Sequence, residues 1–372
     1  HIQNLFKRNV SEREKGELMM WSISPAVFAV DNEYQIMLPS KCECIMKVQI
    51  GDKVYYDAAN GIMRSSSLVH KVTVPMHVLD EAKSYTVHLQ EVLVRKHKFP
   101  EMGACHSKQY QFKPVEGDFI RAYHIADNHG AIDEPVQTAE SFGDMDFLIL
   151  NGDLANHYGE ESAIWCVYEL ASRITNGNIP IVFSRGNHDT RGIFAESFVE
   201  NFPSRMGSTY YTFRLGNVWG MVLDCGEDKD DSHIEYGGLV CCHDFRLAET
   251  SFIREVISRS EEEYSAPGVA HKLIVCHIPF TAPEQEPFNI EEELYAEWTR
   301  LLRDYVKPEM ILCGHEHVWE IYECGSEKDA YGQPCPVVVG SALKKEEGSV
   351  QFSGAGLEFT PNGLDIKEYT AI

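Results

Sequence analysis

Cys44, Met46, Val48 and Ile50 alternate with Ile45, Lys47 and Gln49, and Cys42 opens the same series. A two-residue period of this kind predicts a half-buried strand. Gly51-Asp52 then turns the chain into 53–56, a hairpin signal. Val72, Val74, Tyr85, Val87 and Leu89 carry the alternation through later strands, up to a last one at 110–113. From Trp21 to about Pro114 no helical period appears. Several short strands separated by turn residues predict a β-sandwich of about a hundred residues. His70, His77 and His88 read as ordinary strand residues there. The charged, polar residues 1–18 read as a frayed lead-in.

The pattern changes near Gly117. Apolar runs at 119–125, 147–150, 179–183, 218–223, 272–276 and 310–313 alternate with helical stretches at 135–142, 162–175, 244–260 and 290–305. Alternating strands and helices predict an α/β domain around a largely buried sheet. Runs at 336–340 and 357–366 add closing strands. The expected division is therefore a β-sandwich over 1–116 and a second domain over 117–372, in keeping with 372 residues.

Composition narrows the function classes. Hydrophobic residues make up 44% and aromatics 11%, an ordinary globular balance. No apolar run approaches the roughly 18 residues of a membrane helix. The net charge of −24 disfavours nucleic acid as partner, because such binding neutralises phosphates with cations. It leaves small phosphate esters open if bound cations reverse the local sign. Eleven scattered cysteines, several inside apolar runs (Cys166, Cys276, Cys313), point to reduced core thiols and favour the cytoplasm. Cys42-x-Cys44 and Cys241-Cys242 read as structural. The chain starts at His1 without methionine, so export after removal of an upstream segment stays open. Nothing in the sequence speaks to oligomeric state.

The chemistry gathers where strands end. The run 119–125 leads into Asp127-Asn128-His129, and 147–150 into Asn151-Gly152-Asp153. The third cluster is Gly186-Asn187-His188-Asp189; the run 272–276 meets His277, and 310–313 meets Gly314-His315-Glu316-His317. If the backbone stays extended through His315 and His317, both imidazoles face one side. Ligands of layered α/β folds collect outside the carboxyl ends of strands, so the five clusters should converge. Two carboxylates, one amide and four imidazoles suit Mn, Fe or Zn better than Ca. Seven donors exceed one tetrahedral ion and suit two if a carboxylate bridges. Singly, each cluster also reads as a turn, a cap or a solvated histidine; their number and order favour the metal site.

Asp127-x-His129, Gly152-Asp153, Gly186-Asn187-His188-Asp189, His277 and Gly314-His315-x-His317 together resemble the five-motif signature of the calcineurin-like metallophosphoesterase superfamily, over residues 117 to about 345. The resemblance implies a four-layer α/β/β/α fold and two divalent or trivalent ions, Mn, Fe, Zn or Ni. One ion would be held by Asp127, His129 and His317, the other by Asn187, His277 and His315, with Asp153 bridging. His188 would lie beside the substrate phosphate. A fibronectin-III-like sandwich ahead of such a domain is also the layout of purple acid phosphatases. The chain departs from that subfamily in having His129, and in having Asn156 where those enzymes carry a tyrosine ligand. Asn156 would be able to hydrogen-bond His188 without raising its pKa by charge.

The expected reaction is hydrolysis of a phosphate ester, monoester or diester, by hydroxide held between the ions, with His188 assisting the leaving group and Asp153 essential. A nuclease or cyclic-nucleotide phosphodiesterase is the alternative within the enzyme class. A catalytically weak metal-stabilised binding protein is the alternative outside it. For the substrate, Arg191 follows the third cluster, His157 and Tyr158 follow Asp153, and Glu227 opens the charged segment 226–242, long enough for a binding loop.

Overall fold

A computed structural model describes residues 22–58, 61–346 and 349–371. The lead-in at 1–18 lies outside the described residues. Two large sheets stack face to face. The first has nine strands; its centre holds Ile120–Ile125, Phe147–Asn151 and Pro180–Ser184, all parallel. The second has six, with Val218–Leu223, His271–Cys276 and Met310–Cys313 parallel.

Alternation along these strands sorts the side chains into three cores. Phe147 and Ile149 point inward with Leu273, Val275 and Leu312 from the opposite sheet. Leu148, Leu150 and Phe183 point outward beneath the helices Asp133–Phe142 and Glu161–Thr175. Ile274, Cys276 and Ile311 face outward on the second sheet, against Cys242–Ser258 and Glu292–Leu301. The layers therefore run α/β/β/α. Among the described residues no helix is long and apolar enough to cross a membrane.

The N-terminal third differs from a self-standing sandwich. Ala26–Val30 pairs in parallel with Pro180–Ser184, and Glu33–Pro39 and Val69–Pro75 extend the same sheet. Only Cys44–Ile50, Lys53–Tyr56, Ser84–Val94 and Glu101–Gln111 make a separate sheet. That sheet packs Met46, Val48, Val87 and Leu89 into the inner core. The physical reason is that Ala26, Val27, Phe28, Ala29 and Val30 are apolar on both faces, so the strand must be covered twice. Polar contacts stitch the two regions together. The Gln35 amide donates to the Ser204 carbonyl (2.7 Å), and the Tyr85 hydroxyl donates to the Gly177 carbonyl (2.8 Å).

The alternation at 44–50 appears as the strand Cys44–Ile50, hairpinned to Lys53–Tyr56 through Gly51-Asp52. Inside the region expected to be all-β lies a helix, Met76–Ala82, which buries Met76 and Leu79. The closing strand expected at 357–366 is a longer hairpin, Ser349–Thr360 with Gly363–Ala371. No disulfide is present among the described residues.

Candidate metal centre

Six parallel strands open at one edge of the stacked sheets, and the loops leaving them build the site. Main-chain hydrogen bonds tie the loops together first. Asp127 N–H donates to the Gly152 carbonyl (3.1 Å), His129 N–H to Asp153 O (3.1 Å) and Gly314 N–H to His277 O (2.9 Å). Beneath them, the Asn151 amide donates to His124 Nε2 (3.1 Å) and to the Leu312 carbonyl (3.0 Å), bridging the two sheets.

Close approach explains the glycines. A Cβ on Gly152 would sit 2.6 Å from the Gly186 backbone, and one on Gly314 would sit 2.5 Å from Asp127 Oδ2. Five of the seven expected ligands, Asp127, His129, Asp153, His315 and His317, have φ between 43° and 73°. Left-handed backbone at non-glycine residues costs roughly 1–2 kcal/mol each and tends to mark functional sites. The chain past Gly314 is therefore a left-handed turn and not the extended run expected at 315–317.

Each carboxylate has one oxygen pinned and one aimed inward. Asp127 Oδ2 accepts from His315 N–H (2.7 Å), while Oδ1 lies 3.4 Å from His317 Nε2 and 3.6 Å from His277 Nε2. Asp153 Oδ1 accepts from His188 N–H (2.9 Å), while Oδ2 lies 3.2 Å from His277 Nε2. His277 Nδ1–H donates to the Asn151 carbonyl (2.6 Å), which aims Nε2 at the centre. Burial alone would lower this imidazole's pKa, but Asp153 and Asp127 push it up to about 10. Burial holds His129 down at about 4, and its Nε2 lies 3.0 Å from His317 Nε2. Asp189, missing from the expected set although its motif contains it, is fully buried. Its Oδ2 accepts from Gly186 N–H (2.7 Å) and Asp153 N–H (3.2 Å), and burial followed by the Asp153 charge pushes it up to about 8.

These donors fit cations. Asp127 Oδ1 and His277 Nε2 are buried without a hydrogen-bond partner. The Asn187 amide faces His315 Nδ1 (3.1 Å) and Asp153 Oδ2; its nitrogen would donate to both, and its oxygen would suit a cation held there. An amide oxygen facing acceptors is unfavourable unless the amide turns over or a positive ion sits between them. Asp127, His129 and His317 form one compact group, Asp153, His277 and His315 a second, and His129, Asp153 and His188 a third that overlaps both.

The chain matches the calcineurin-like phosphoesterase family over residues 120–319. It belongs to that family. Membership implies divalent metal ions, and the first two groups above are where they fit. This phosphoesterase is similar to a zebrafish (Danio rerio) protein named serine/threonine-protein phosphatase CPPED1, 27% identical over 179 residues. That match covers 46% of this chain and 53% of the relative, about half its length. Purple acid phosphatase PPD1 from yellow lupin (Lupinus luteus) seeds shares the fold, with a TM-score of 0.54 at 12% identity over 94% of this chain and 74% of that one. PhoD does so with 0.50 at 10% identity, over 94% and 92%.

Around the centre the expected residues divide. His188 Nδ1–H donates to the backbone carbonyl of Asn156 (2.8 Å), so Asn156 acts through its main chain while its side chain is exposed. Arg191 makes two 2.8 Å bonds to the buried Glu227, and its Nη1 lies 3.2 Å from His188 Nε2. Glu227 thus orients Arg191 and is closed to substrate. Tyr158 is also closed, fully buried against Phe198 and Phe202. His157 is exposed and makes a local bond from Gly159 N–H (3.0 Å). Asp228, unforeseen, places Oδ2 3.9 Å from His315 Nε2. Its only sequence signal was membership of the charged run after a strand end.

Proposed function

We propose that the centre holds two metal ions and hydrolyses a phosphate monoester. The observation that carries this reading is the convergence of seven donors on five loops, with Asp127 Oδ1 buried without a hydrogen-bond partner and His277 Nε2 facing the Asp153 and Asp127 carboxylates. Asp127, His129 and His317 would bind one ion and Asn187, His277 and His315 the other, with Asp153 between them. Mixed imidazole, carboxylate and amide donors suit Mn, Fe, Zn or Ni. When bound, such a pair of ions supplies hydroxide near neutral pH and offsets charge on the phosphate oxygens.

The chain's own groups do the rest. The Asn156 carbonyl fixes the His188 ring so that Nε2 faces the centre, 3.9 Å from Asp153 Oδ2. Nε2 is then the atom that meets the leaving oxygen, and it delivers a proton there from the imidazolium form, once substrate displaces its contact with Arg191 Nη1. Arg191, held in a fork by Glu227, brings a permanent positive charge beside it, suited to a phosphate dianion. That added charge and the phosphatase named among the relatives support a monoester over a diester.

The test is hydrolysis of p-nitrophenyl phosphate against bis-p-nitrophenyl phosphate, on chelated protein given back Mn, Fe, Zn or Ni singly. Metal-dependent turnover that favours the monoester is expected. Preference for the diester would overturn the ester class, and absence of turnover with every ion would overturn hydrolysis.

A further inference from the structure

A cavity of about 380 Å³ opens beside His315, bounded by the segment that follows His277. Ile278, Phe288 and Tyr331 supply apolar and aromatic wall. Its charged lining is one-signed: Asp228, Glu284, Glu292 and Glu316 border it, and no lysine or arginine does among the described residues. Lys229, next to the lining residue Asp228, is engaged by Asp228 Oδ1 (3.2 Å) and Glu235 Oε2 (3.1 Å), and Lys328 acts on Glu284. Lys229 Nζ also lies 5.0 Å from the centre of the Phe288 ring, which leaves Tyr331 as the other aromatic wall. Burial, then the neighbouring Glu316, pushes the Glu284 carboxyl up, against the charge of Lys328.

This combination is unsuited to a phosphate and suited to what is attached to one. Aromatic faces attract organic cations, and carboxylates at the mouth add Coulombic attraction. The volume fits a small head group. We propose that the cavity seats the leaving group of the ester and selects one bearing an ammonium, making the substrate class phosphate monoesters of amino alcohols. The proposal rests on the hydrolytic reading of the adjoining centre. In that reaction water forms the new P–O bond, the P–O bond to the amino alcohol breaks, and the alcohol oxygen leaves with a proton.

The experiment compares phosphocholine with its neutral isostere, 3,3-dimethylbutyl phosphate, on the metal-loaded full chain. Both kcat/KM and calorimetric Kd are measured. Phosphocholine is expected to lead by about ten-fold or more in each. The double variant Glu284→Gln, Glu292→Gln should bring both ratios towards one. Equal or better handling of the neutral ester, or ratios unchanged in the double variant, would overturn the proposal. So would a phosphoserine peptide flanked by arginines that outcompetes phosphocholine. If neither ester nor p-nitrophenyl phosphate is hydrolysed, the hydrolytic reading fails, while the Kd ratio still decides what the cavity selects.

Discussion

Each polar side chain at the centre is best understood by asking which of its atoms is already taken. His188 spends Nδ1–H on a backbone carbonyl and its Nε2 meets Arg191 Nη1 (3.2 Å), so Nε2 is the atom that can exchange that contact for substrate. Replacing it with alanine should lower kcat by about 10²–10⁴-fold with metals retained, more for poor leaving groups. Asn156→Ala should change kcat by less than about three-fold, because the main chain makes the contact. Equal losses in the two variants would contradict this division. Glu227→Gln tests the Arg191 fork: kcat/KM should fall about ten-fold with metal content unchanged, since one charged hydrogen-bonded arm is lost. That Arg191, His188 and the seven donors converge was legible because each sits just past an apolar run in a chemically coherent motif; their roles are part of the proposal. Tyr158 was misread because its burial depends on Phe198 and Phe202, about forty residues away. Glu227 was expected at the substrate and is buried instead, because a charge run hides which member turns inward.

Among elements, the strands of the catalytic half were readable from apolar runs, Val218–Leu223 and Met310–Cys313 to the residue. The helix Met76–Ala82 was not, because seven residues give too short a period to stand against flanking strands. His124 shows what the strand interior costs in acid. It is fully buried, its Nε2 accepts from Asn151, and burial holds its pKa down at about 3. The unfolded imidazole takes a proton near 6.5 and the folded one only near 3. The unfolded state therefore binds more protons throughout that window. Stability from this group is full above the window and falls as pH drops through it, by at most about 5 kcal/mol. Urea unfolding as a function of pH checks the slope. His124→Gln should be less stable at neutral pH but show a shallower decline on acidification.

For the whole molecule, the N-terminal third completes the catalytic sheet instead of standing beside it. Without Ala26–Val30 the strand Pro180–Ser184, which leads to Asn187 and His188, would lose its neighbour and expose a flat apolar edge. A fragment spanning 117–372 should therefore aggregate or unfold without cooperativity by calorimetry, and a soluble fragment with a sharp transition would contradict the shared sheet. The dependence was hidden because strand pairing across some 150 residues leaves no local period in the sequence. The central claim is that the seven converging donors hold two ions, and the most direct test is metal content per chain by mass spectrometry after saturation and desalting. Two ions per wild-type chain are predicted, with Asp153→Asn losing at least one of them. One ion or none in the wild type, or two retained in Asp153→Asn, would contradict a dinuclear centre bridged by Asp153.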